Sequence, residues 1–244
     1  AVPFGLTASE MNAWIHHAGG QELWDELSAG FNIKPFMAGN TGVQWGGWFN
    51  KEMNGLEDFK GLKMRMPGLG GEVLRRLGAA AVALPGGEIF PALQAGTIDA
   101  TEWVGPWNDS FMKFYEAAKY YYYPGWHEPG GLLELIINKS AFQSLPVDLQ
   151  AIVRAAAART NLWILCEFES KNYAALKELV DKHDVDLRRF PDEVIAQLRT
   201  YTEEAIAELT ASDAPSKKVY ASYSAFQSDV STWAELSEKM YYTS

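Results

Sequence analysis

The hydrophobic and polar positions of this 244-residue chain follow two periodicities. Segments whose apolar residues recur every three or four positions are typical of amphipathic helices, and they occupy residues 7–27, 72–77, 89–94, 111–119, 144–182, 191–210 and 219–242. Short runs that alternate or are mostly apolar are typical of strands, and they occupy residues 31–37, 43–49, 62–67, 79–84, 97–104, 120–123, 132–137 and 185–190. Because strands and helices of this length alternate, the pattern predicts an α/β fold built from βαβ units.

Local signals place the ends of several predicted helices. Thr7 or Ser9 can cap the first helix, which Gly19-Gly20 interrupts. Gly96 stands where a glycine cap ends the helix at 89–94. Ser144, followed by a proline and an aspartate, predicts the start of the long helix.

Three further features concern loops and packing. Residues 68–71 are rich in glycine but lack both the dinucleotide-binding spacing and the Lys-Ser/Thr pair of a P-loop, so they predict a turn before the helix at 72–77. Residues 211–216 are interpreted as a polar linker. Cys166 falls on the apolar face of the long helix, so we interpret it as a buried core thiol.

Composition and charge exclude several classes of function. The 31 acidic residues outnumber the 21 basic ones, giving a formal net charge of −10. Phosphate backbones and anionic lipid would repel such a chain, so nucleic acid is not an expected partner. A single cysteine excludes an internal disulfide and a multi-cysteine metal site. No apolar run approaches the roughly 20 residues that cross a bilayer. The sequence also opens without the features of a signal peptide, so it either lost one or never had one.

Candidate chemistry gathers at the ends of predicted strands. The usual nucleophile, zinc-protease, EF-hand and P-loop motifs do not occur, and the four histidines form no ligand cluster in the sequence. Glu102 and Trp103 lie at the carboxyl end of a predicted strand, where ligands bind in open α/β sheets. Arg65 lies near another strand end, and Gln44 and Glu128 lie beside glycine-flanked bends. Taken singly, each of these is also typical of a surface or ion-paired residue, and Trp103 of a core residue.

Three motifs in a fixed order connect these residues. The first is Gly39-Asn40-Thr41-Gly42-Val43-Gln44-x-Gly46-Gly47-Trp48-Phe49, the second is Lys60-Gly61-Leu62-Lys63-Met64-Arg65-Met66-Pro67, and the third runs from Glu88-Ile89-Phe90 to Glu102-Trp103-Val104-Gly105-Pro106. Together they resemble the substrate-binding subunits of tripartite ATP-independent periplasmic (TRAP) transporters, which are DctP-type periplasmic binding proteins. The Glu-Trp-Val-Gly-Pro form is similar to the branch that takes 2-oxo acids and related small carboxylates.

The resemblance implies a two-lobed α/β periplasmic-binding-protein fold with hinge-crossing strands and a long C-terminal helix. Members of the family carry an opening βαβα portion of the first lobe before the point at which this sequence starts, so the N-terminal portion is expected to be missing. The implied division gives residues 1–42 and 129–168 to the remainder of lobe I, residues 43–128 and 169–210 to lobe II, and residues 211–244 to a linker and the C-terminal helix.

The resemblance also implies roles for particular residues. Arg65 matches the family arginine that clamps the ligand carboxylate, which suits its planar fork of donors. Gln44, Glu102, Trp103 through its backbone carbonyl, and Glu128 are implied to hold a cation, Na⁺ or Ca²⁺, against the ligand in the interlobe cleft; all four offer the oxygen atoms that hard cations prefer. The implied substrate-binding residues are Arg65, Gln44, Trp103, Glu102, Asn40 and Trp107. For the Trp107 ring, core packing is an equally open alternative.

Charge gives a separate argument for a cation. Glu102, Glu128 and a monocarboxylate ligand bring three negative charges, and Arg65 returns one positive charge. A closed, dry cleft would not hold the remaining two negative charges without a large cost, so a cation is required if both glutamates line the cleft. If Glu128 points to solvent instead, one charge remains and the argument for a metal falls away.

We therefore expect a non-catalytic binding protein of the periplasm that delivers a small 2-oxo or 2-hydroxy monocarboxylate, such as pyruvate, to TRAP transporter membrane subunits. One alternative is a metal-assisted enzyme on 2-oxo acids, with Arg65 as anchor and Glu102 or Glu128 as base. Another is a ligand-sensing module. The apolar stripe from Tyr220 to Met240 must dock somewhere, either on its own chain or on a second subunit of a homodimer.

Overall fold

The computed structural model describes residues Ala1 to Ser244, and the chain forms two compact units. Unit 1 comprises Ala1–Gly5, Thr41–Gly131 and Leu165–Ile206, and unit 2 comprises Leu6–Asn40, Leu132–Ile164 and Ala207–Ser244. The division implied by the family resemblance placed residues 1–5 with residues 6–42. In the structure they belong to the same unit as Thr41–Gly131 instead. That these units are the two lobes of the family stays a prediction.

The elements are numbered in chain order. The strands are β1 Ile33–Asn40, β2 Gly47–Phe49, β3 Lys63–Arg65, β4 Ala80–Val82, β5 Ala100–Thr101, β6 Tyr120–Tyr123, β7 Leu132–Asn138 and β8 Asp186–Arg189. The helices are α1 Ala8–His17, α2 Gly20–Ala29, α3 Gly68–Arg76, α4 Gly86–Gln94, α5 Pro106–Met112, α6 Lys139–Ser144, α7 Val147–His183, α8 Asp192–Ser212, α9 Ala214–Leu236 and α10 Glu238–Thr243. None of these helices combines the length and the apolar character that a membrane span requires.

Unit 1 is built on a six-stranded sheet in the order β4-β3-β5-β2-β6-β8. β3 runs parallel to β4 and β5, β2 runs antiparallel to β5 and β6, and β6 runs parallel to β8. Successive residues of a strand point to opposite faces, so Trp48 packs with Tyr121 on one face and Phe49 with Tyr122 on the other. Both faces are therefore buried, with ring centroids 4.0 Å apart in the first pair and 5.1 Å in the second.

Unit 2 is built on the antiparallel pair β1 and β7, whose register shifts between Met37 and Gly39. One core cluster of this unit consists of Phe36, Phe142 and Ala157, and further buried apolar side chains of the unit are Leu6, Met11, Trp14, Ile15, Met37 and Tyr223. The C-terminal helix α9 docks here, because the Tyr223 hydroxyl accepts a hydrogen bond of 2.6 Å from the Leu6 backbone N–H and the Tyr223 ring packs edge-on against Trp14.

Two predicted helix ends agree with the structure. Thr7 caps α1, and its backbone N–H donates to the Glu10 carboxylate at 2.8 Å, which completes a capping box. Gly96 follows α4 with φ of 69° and its N–H donates to the Leu93 carbonyl, as a C-terminal glycine cap does.

Other boundaries were wrong, because competing local hydrogen bonds decide them. Ser144 does not start the long helix; it ends α6, whose cap is Asn138, and α7 begins at Val147. The predicted linker at 211–216 is helical on both sides of Asp213, whose carboxylate accepts from the Ser216 N–H at 2.7 Å and caps α9.

Three more expectations need correction. The glycines at 68–71 form the first turn of α3 rather than a turn before it, since glycine tolerates the close approach of its neighbours there. The strand expected at 97–104 is only β5, so Glu102 follows it directly. Cys166 is exposed, not a core thiol. Helix α7 passes from unit 2 into unit 1, so its buried side is not one continuous stripe.

Candidate ligand and metal site

Neighbouring strands of unit 1 deliver the central pair of side chains. β3 ends at Arg65 and the parallel strand β5 ends at Thr101, which is its register partner. The next residue, Glu102, donates its backbone N–H to the Arg65 carbonyl at 3.2 Å. The carboxyl ends of parallel strands meet at one edge of a sheet, so the guanidinium and the carboxylate emerge side by side.

The Arg65 guanidinium is held on several sides. Its Nη1 group donates to the Glu102 carboxylate, and also to the Glu102 carbonyl at 3.3 Å, while Nε donates to the Leu84 carbonyl at 3.4 Å. The Arg65 Cζ atom lies over the Trp103 ring, 5.3 Å from its centroid. None of these hydrogen bonds uses the Nη2 group, so part of the donor fork remains for an anion.

Three ionisable side chains converge beside this pair. The ligand atoms of Glu102, His127 and Glu128 all lie within 4.8 Å of one another. The His127 Nε2 atom lies 3.4 Å from the Glu102 carboxylate, but neither nitrogen of this buried ring has a hydrogen-bond partner. Sequence reasoning missed His127, since a lone histidine carries no local signal; its neighbour Glu128 was the nearest hint.

Gln44 brings an amide to the same place. Its backbone N–H donates to the Glu128 carbonyl at 3.1 Å, and its side-chain Nε2 donates to the Thr41 hydroxyl at 3.3 Å. Its Oε1 atom is buried and has no hydrogen-bond partner. A Cβ at Gly131 would lie 2.7 Å from the Gln44 amide nitrogen and 3.2 Å from a Glu128 carboxylate oxygen. Both side chains therefore reach the space beside Gly131, which only glycine leaves open.

A cavity of about 260 Å³ opens onto this cluster within unit 1. Its walls include Glu102, His127 and Glu128 on one side and the backbone at the start of α3, residues 67–70, on the other. Glu128 is half-buried, and its carboxylate lies with the cluster, so the alternative in which it points away from the site is not what the structure shows.

The remaining predicted binding residues lie elsewhere. Trp107 is in the first turn of α5, with its ring against Phe168 and the Lys171 ammonium. Asn40 is buried at the end of β1, in unit 2. The half-buried Trp107 side chain belongs to none of the core clusters described above, and the binding roles of both residues stay predictions.

Asp109 on α5 is a further buried carboxylate, which sequence reasoning also missed. One oxygen accepts from the backbone N–H groups of Val104 and Gly105, both at 3.0 Å, and the other accepts from the Trp48 indole at 2.9 Å and the Tyr121 hydroxyl at 2.8 Å. Burial raises the pKa of Asp109 to about 6, and the four hydrogen bonds limit the rise.

Comparison with known proteins gives consistent results. The family model of the bacterial extracellular solute-binding proteins, family 7 (DctP), matches residues 1–213. A monocarboxylate 2-oxoacid-binding periplasmic protein of Nostoc sp. is 41% identical over 241 residues, which are 99% of this chain and 66% of the relative. This chain thus spans just under two thirds of that relative's length.

Solved structures agree with this relationship. A TRAP periplasmic solute-binding protein of Pseudoalteromonas atlantica, with sodium and pyruvate bound, is 42% identical to this chain and superposes with a TM-score of 0.95. The match covers all of this chain and 74% of the Pseudoalteromonas chain. The protein of Colwellia psychrerythraea, with calcium and pyruvate bound, is 40% identical with the same coverage and a TM-score of 0.96. Nothing in these comparisons supports the enzyme alternative. The chain therefore belongs to family 7 of the bacterial extracellular solute-binding proteins, the DctP family, as the three motifs predicted.

Proposed function

We propose that this chain is the solute-binding protein of a TRAP transporter, acting in the periplasm. It captures a small 2-oxo monocarboxylate together with Na⁺ or Ca²⁺ and delivers the anion to the membrane subunits. The observation that carries this proposal is the ion pair of Arg65 with the buried Glu102, which clusters with His127 and the half-buried Glu128, together with the unpartnered Gln44 oxygen.

Arg65 is the anion-binding group in this proposal. Its guanidinium is held in one orientation by Glu102, Leu84 and the Trp103 ring, so little conformational entropy is lost when a carboxylate joins it. Because Nε and Nη1 already donate to the protein, the guanidinium offers an incoming carboxylate its positive charge and the N–H groups of Nη2.

The donor set fits a hard cation. Glu102 and Glu128 offer carboxylate oxygens, and the Gln44 Oε1 atom is a buried acceptor that lacks a donor. Leaving a polar atom buried without a partner costs about 1–3 kcal/mol, and a cation would remove that cost. Na⁺ and Ca²⁺ prefer such oxygen ligands, which outnumber the one imidazole of the cluster, that of His127. The Trp103 carbonyl is proposed as a fourth ligand from the family resemblance.

A cation is also what the charges of the site call for. With both glutamates present in the cluster, an added monocarboxylate leaves two uncompensated negative charges after Arg65 is counted. A bound cation supplies positive charge to the glutamates and to the oxygen atoms of the anion. This chain's residues fix the two partners: Arg65 orients the carboxylate, and the glutamates exclude an anion that arrives without a cation.

The C-terminal region supports a proposed homodimer. Although Tyr223 docks α9 on unit 2, the later part of the stripe is open, with Trp233 68% and Leu236 70% exposed. Aromatic and apolar side chains this exposed are typical of a surface that meets another subunit. We propose that α9 and α10 form the contact between two copies of the chain.

Calorimetric titration of pyruvate into metal-stripped protein, with and without Ca²⁺ or Na⁺, tests the proposed function. We expect binding only with the cation, and a loss of about 100-fold or more in Arg65→Ala, because a buried charge-assisted contact is removed. Arg75→Ala is the matched control, since Arg75 is an exposed arginine paired with Glu72 on the same unit.

Either of two results would overturn the proposal. One is tight pyruvate binding by folded Arg65→Ala; the other is wild-type affinity for pyruvate that is the same with and without cations. A variant's fold is checked by its melting temperature, so that loss of binding is not confused with unfolding.

A further inference from the structure

Asp109 fixes the backbone directly after Trp103. Its Oδ1 atom accepts hydrogen bonds from the Val104 and Gly105 backbone N–H groups, both at 3.0 Å. The side chain is 1% exposed, so water does not compete for these bonds. Two successive amide groups of one chain segment are thereby held by one carboxylate oxygen.

The Val104 N–H and the Trp103 carbonyl belong to the same peptide group. A trans peptide is planar, and its N–H and C=O point in opposite directions. A group that fixes the direction of the Val104 N–H therefore fixes the direction of the Trp103 carbonyl. No backbone or side-chain donor of the protein contacts that carbonyl, whereas the Glu102 carbonyl accepts from Arg65 and the Val104 carbonyl accepts from the Trp45 N–H.

We propose that Asp109 is a positioning residue for cation binding: it sets the Trp103–Val104 peptide plane so that the Trp103 carbonyl oxygen is presented as a ligand. This rests on the proposed function, because it requires that carbonyl to contact the cation. A carboxylate on the N–H also polarises the peptide and increases the negative charge on the carbonyl oxygen, which strengthens its contact with a hard cation.

The other carboxylate oxygen of Asp109 holds the side chain itself in place. Oδ2 accepts from the Trp48 indole of β2 and the Tyr121 hydroxyl of β6, two neighbouring strands in the middle of the sheet. The carboxylate cannot rotate without losing one pair of donors. The position of the loop at Trp103 is thus tied to the most buried part of unit 1.

Calcium titration of three variants tests this role. Asp109→Ala removes every acceptor, and we expect Ca²⁺ affinity in the presence of pyruvate to fall 10- to 100-fold, as is usual when a group supporting a metal ligand is removed. Asp109→Asn retains one acceptor oxygen but not the charge, so it should fall between this variant and the wild type. Asp58→Asn is the control, because the Asp58 carboxylate also accepts from two successive backbone N–H groups, those of Asn54 and Gly55, in unit 1 but away from the site; its affinity should stay within about two-fold of wild type.

A second measurement follows the Trp103–Val104 peptide group directly by NMR. The amide ¹⁵N resonance of Val104 responds to polarisation of the Trp103 carbonyl, so it should move when Ca²⁺ and pyruvate saturate the wild-type protein, and the Gly87 resonance should not. If Asp109→Ala does not fold, the comparison of the wild type with Asp109→Asn still tests the positioning role. In folded Asp109→Asn the movement of the Val104 resonance should be smaller than in the wild type.

The outcomes separate the two proposals. Wild-type Ca²⁺ affinity in folded Asp109 variants, or a Val104 resonance that stays fixed while Ca²⁺ binds, overturns the positioning role and leaves the proposed function intact. A wild-type protein that binds no cation, with or without pyruvate, refutes the proposed function and the positioning role with it.

Discussion

Units 1 and 2 come from the same chain but bury their side chains to different degrees. The six-stranded sheet of unit 1 carries a cluster on each face, with Trp48, Phe49 and Phe114 fully buried. The two-stranded sheet of unit 2 leaves Ile136 59% exposed on β7, and the cluster that includes Phe36 of β1 has three buried members, while the other buried apolar residues of this unit, such as Trp14 and Tyr223, lie on helices. Two-stranded sheets are marginal in water without further packing. The candidate site therefore lies on the unit with the larger sheet, whose strands hold the buried Glu102 and Asp109 in place.

We expect the largest change in stability when a buried phenylalanine is truncated to alanine, and the two units should differ in its size. Phe114→Ala in unit 1 should lower the free energy of unfolding by about 3–5 kcal/mol, because its closed surroundings cannot collapse into the cavity. Phe142→Ala in unit 2 should cost less, about 2–3 kcal/mol, since its cluster is small and borders solvent. Denaturant unfolding of both variants measures this, and equal losses would remove the distinction between the units.

The next effect concerns the buried charge of unit 1. The pKa of Asp109 is raised by burial from 3.8 to about 6, so its contribution to stability is complete below pH 3.8 and is lost as the pH rises through 6. The loss amounts to about 3 kcal/mol. Between pH 3.5 and pH 7, we expect the wild type to lose this amount of unfolding free energy relative to Asp109→Asn. A pH-independent difference would show that Asp109 does not titrate in this range.

Whether a feature could be predicted from the sequence depended on how local its cause is. The strand of four tyrosines, residues 120–123, was predicted with its observed bounds, because its neighbours are clear breaks. The places of Arg65 and Glu102 near strand ends were predicted from the pattern, whereas the ion pair between them was not. His127 and Asp109 could not be predicted, since the groups that identify them, Glu102 beside His127 and the Trp48 and Tyr121 donors to Asp109, lie on other segments of the chain, and no local pattern records which segments meet.

A smaller effect tests how closely the site in unit 1 is packed. Gly131→Ala adds a methyl group 2.4 Å from the Thr41 hydroxyl and 2.7 Å from the Gln44 amide, so the amide must shift. We expect a loss of about ten-fold in Ca²⁺ affinity, near 1.4 kcal/mol. Gly87→Ala is the control, since its Cβ would meet nothing within 4 Å. If the two variants bind alike, Gln44 is not part of the cation site.

The smallest effect concerns Cys166, at the start of the unit 1 portion of α7. Because this thiol is exposed, Cys166→Ser should change the free energy of unfolding by less than about 0.5 kcal/mol, as is usual for surface substitutions. A thiol reagent should also modify the native protein nearly as fast as the unfolded chain. A core thiol would instead be protected and would lose transfer free energy on conversion to serine. Slow modification of the thiol, together with a decrease in unfolding free energy of more than about 1 kcal/mol, would support a buried Cys166. The buried face of α7 would then be continuous from unit 2 into unit 1.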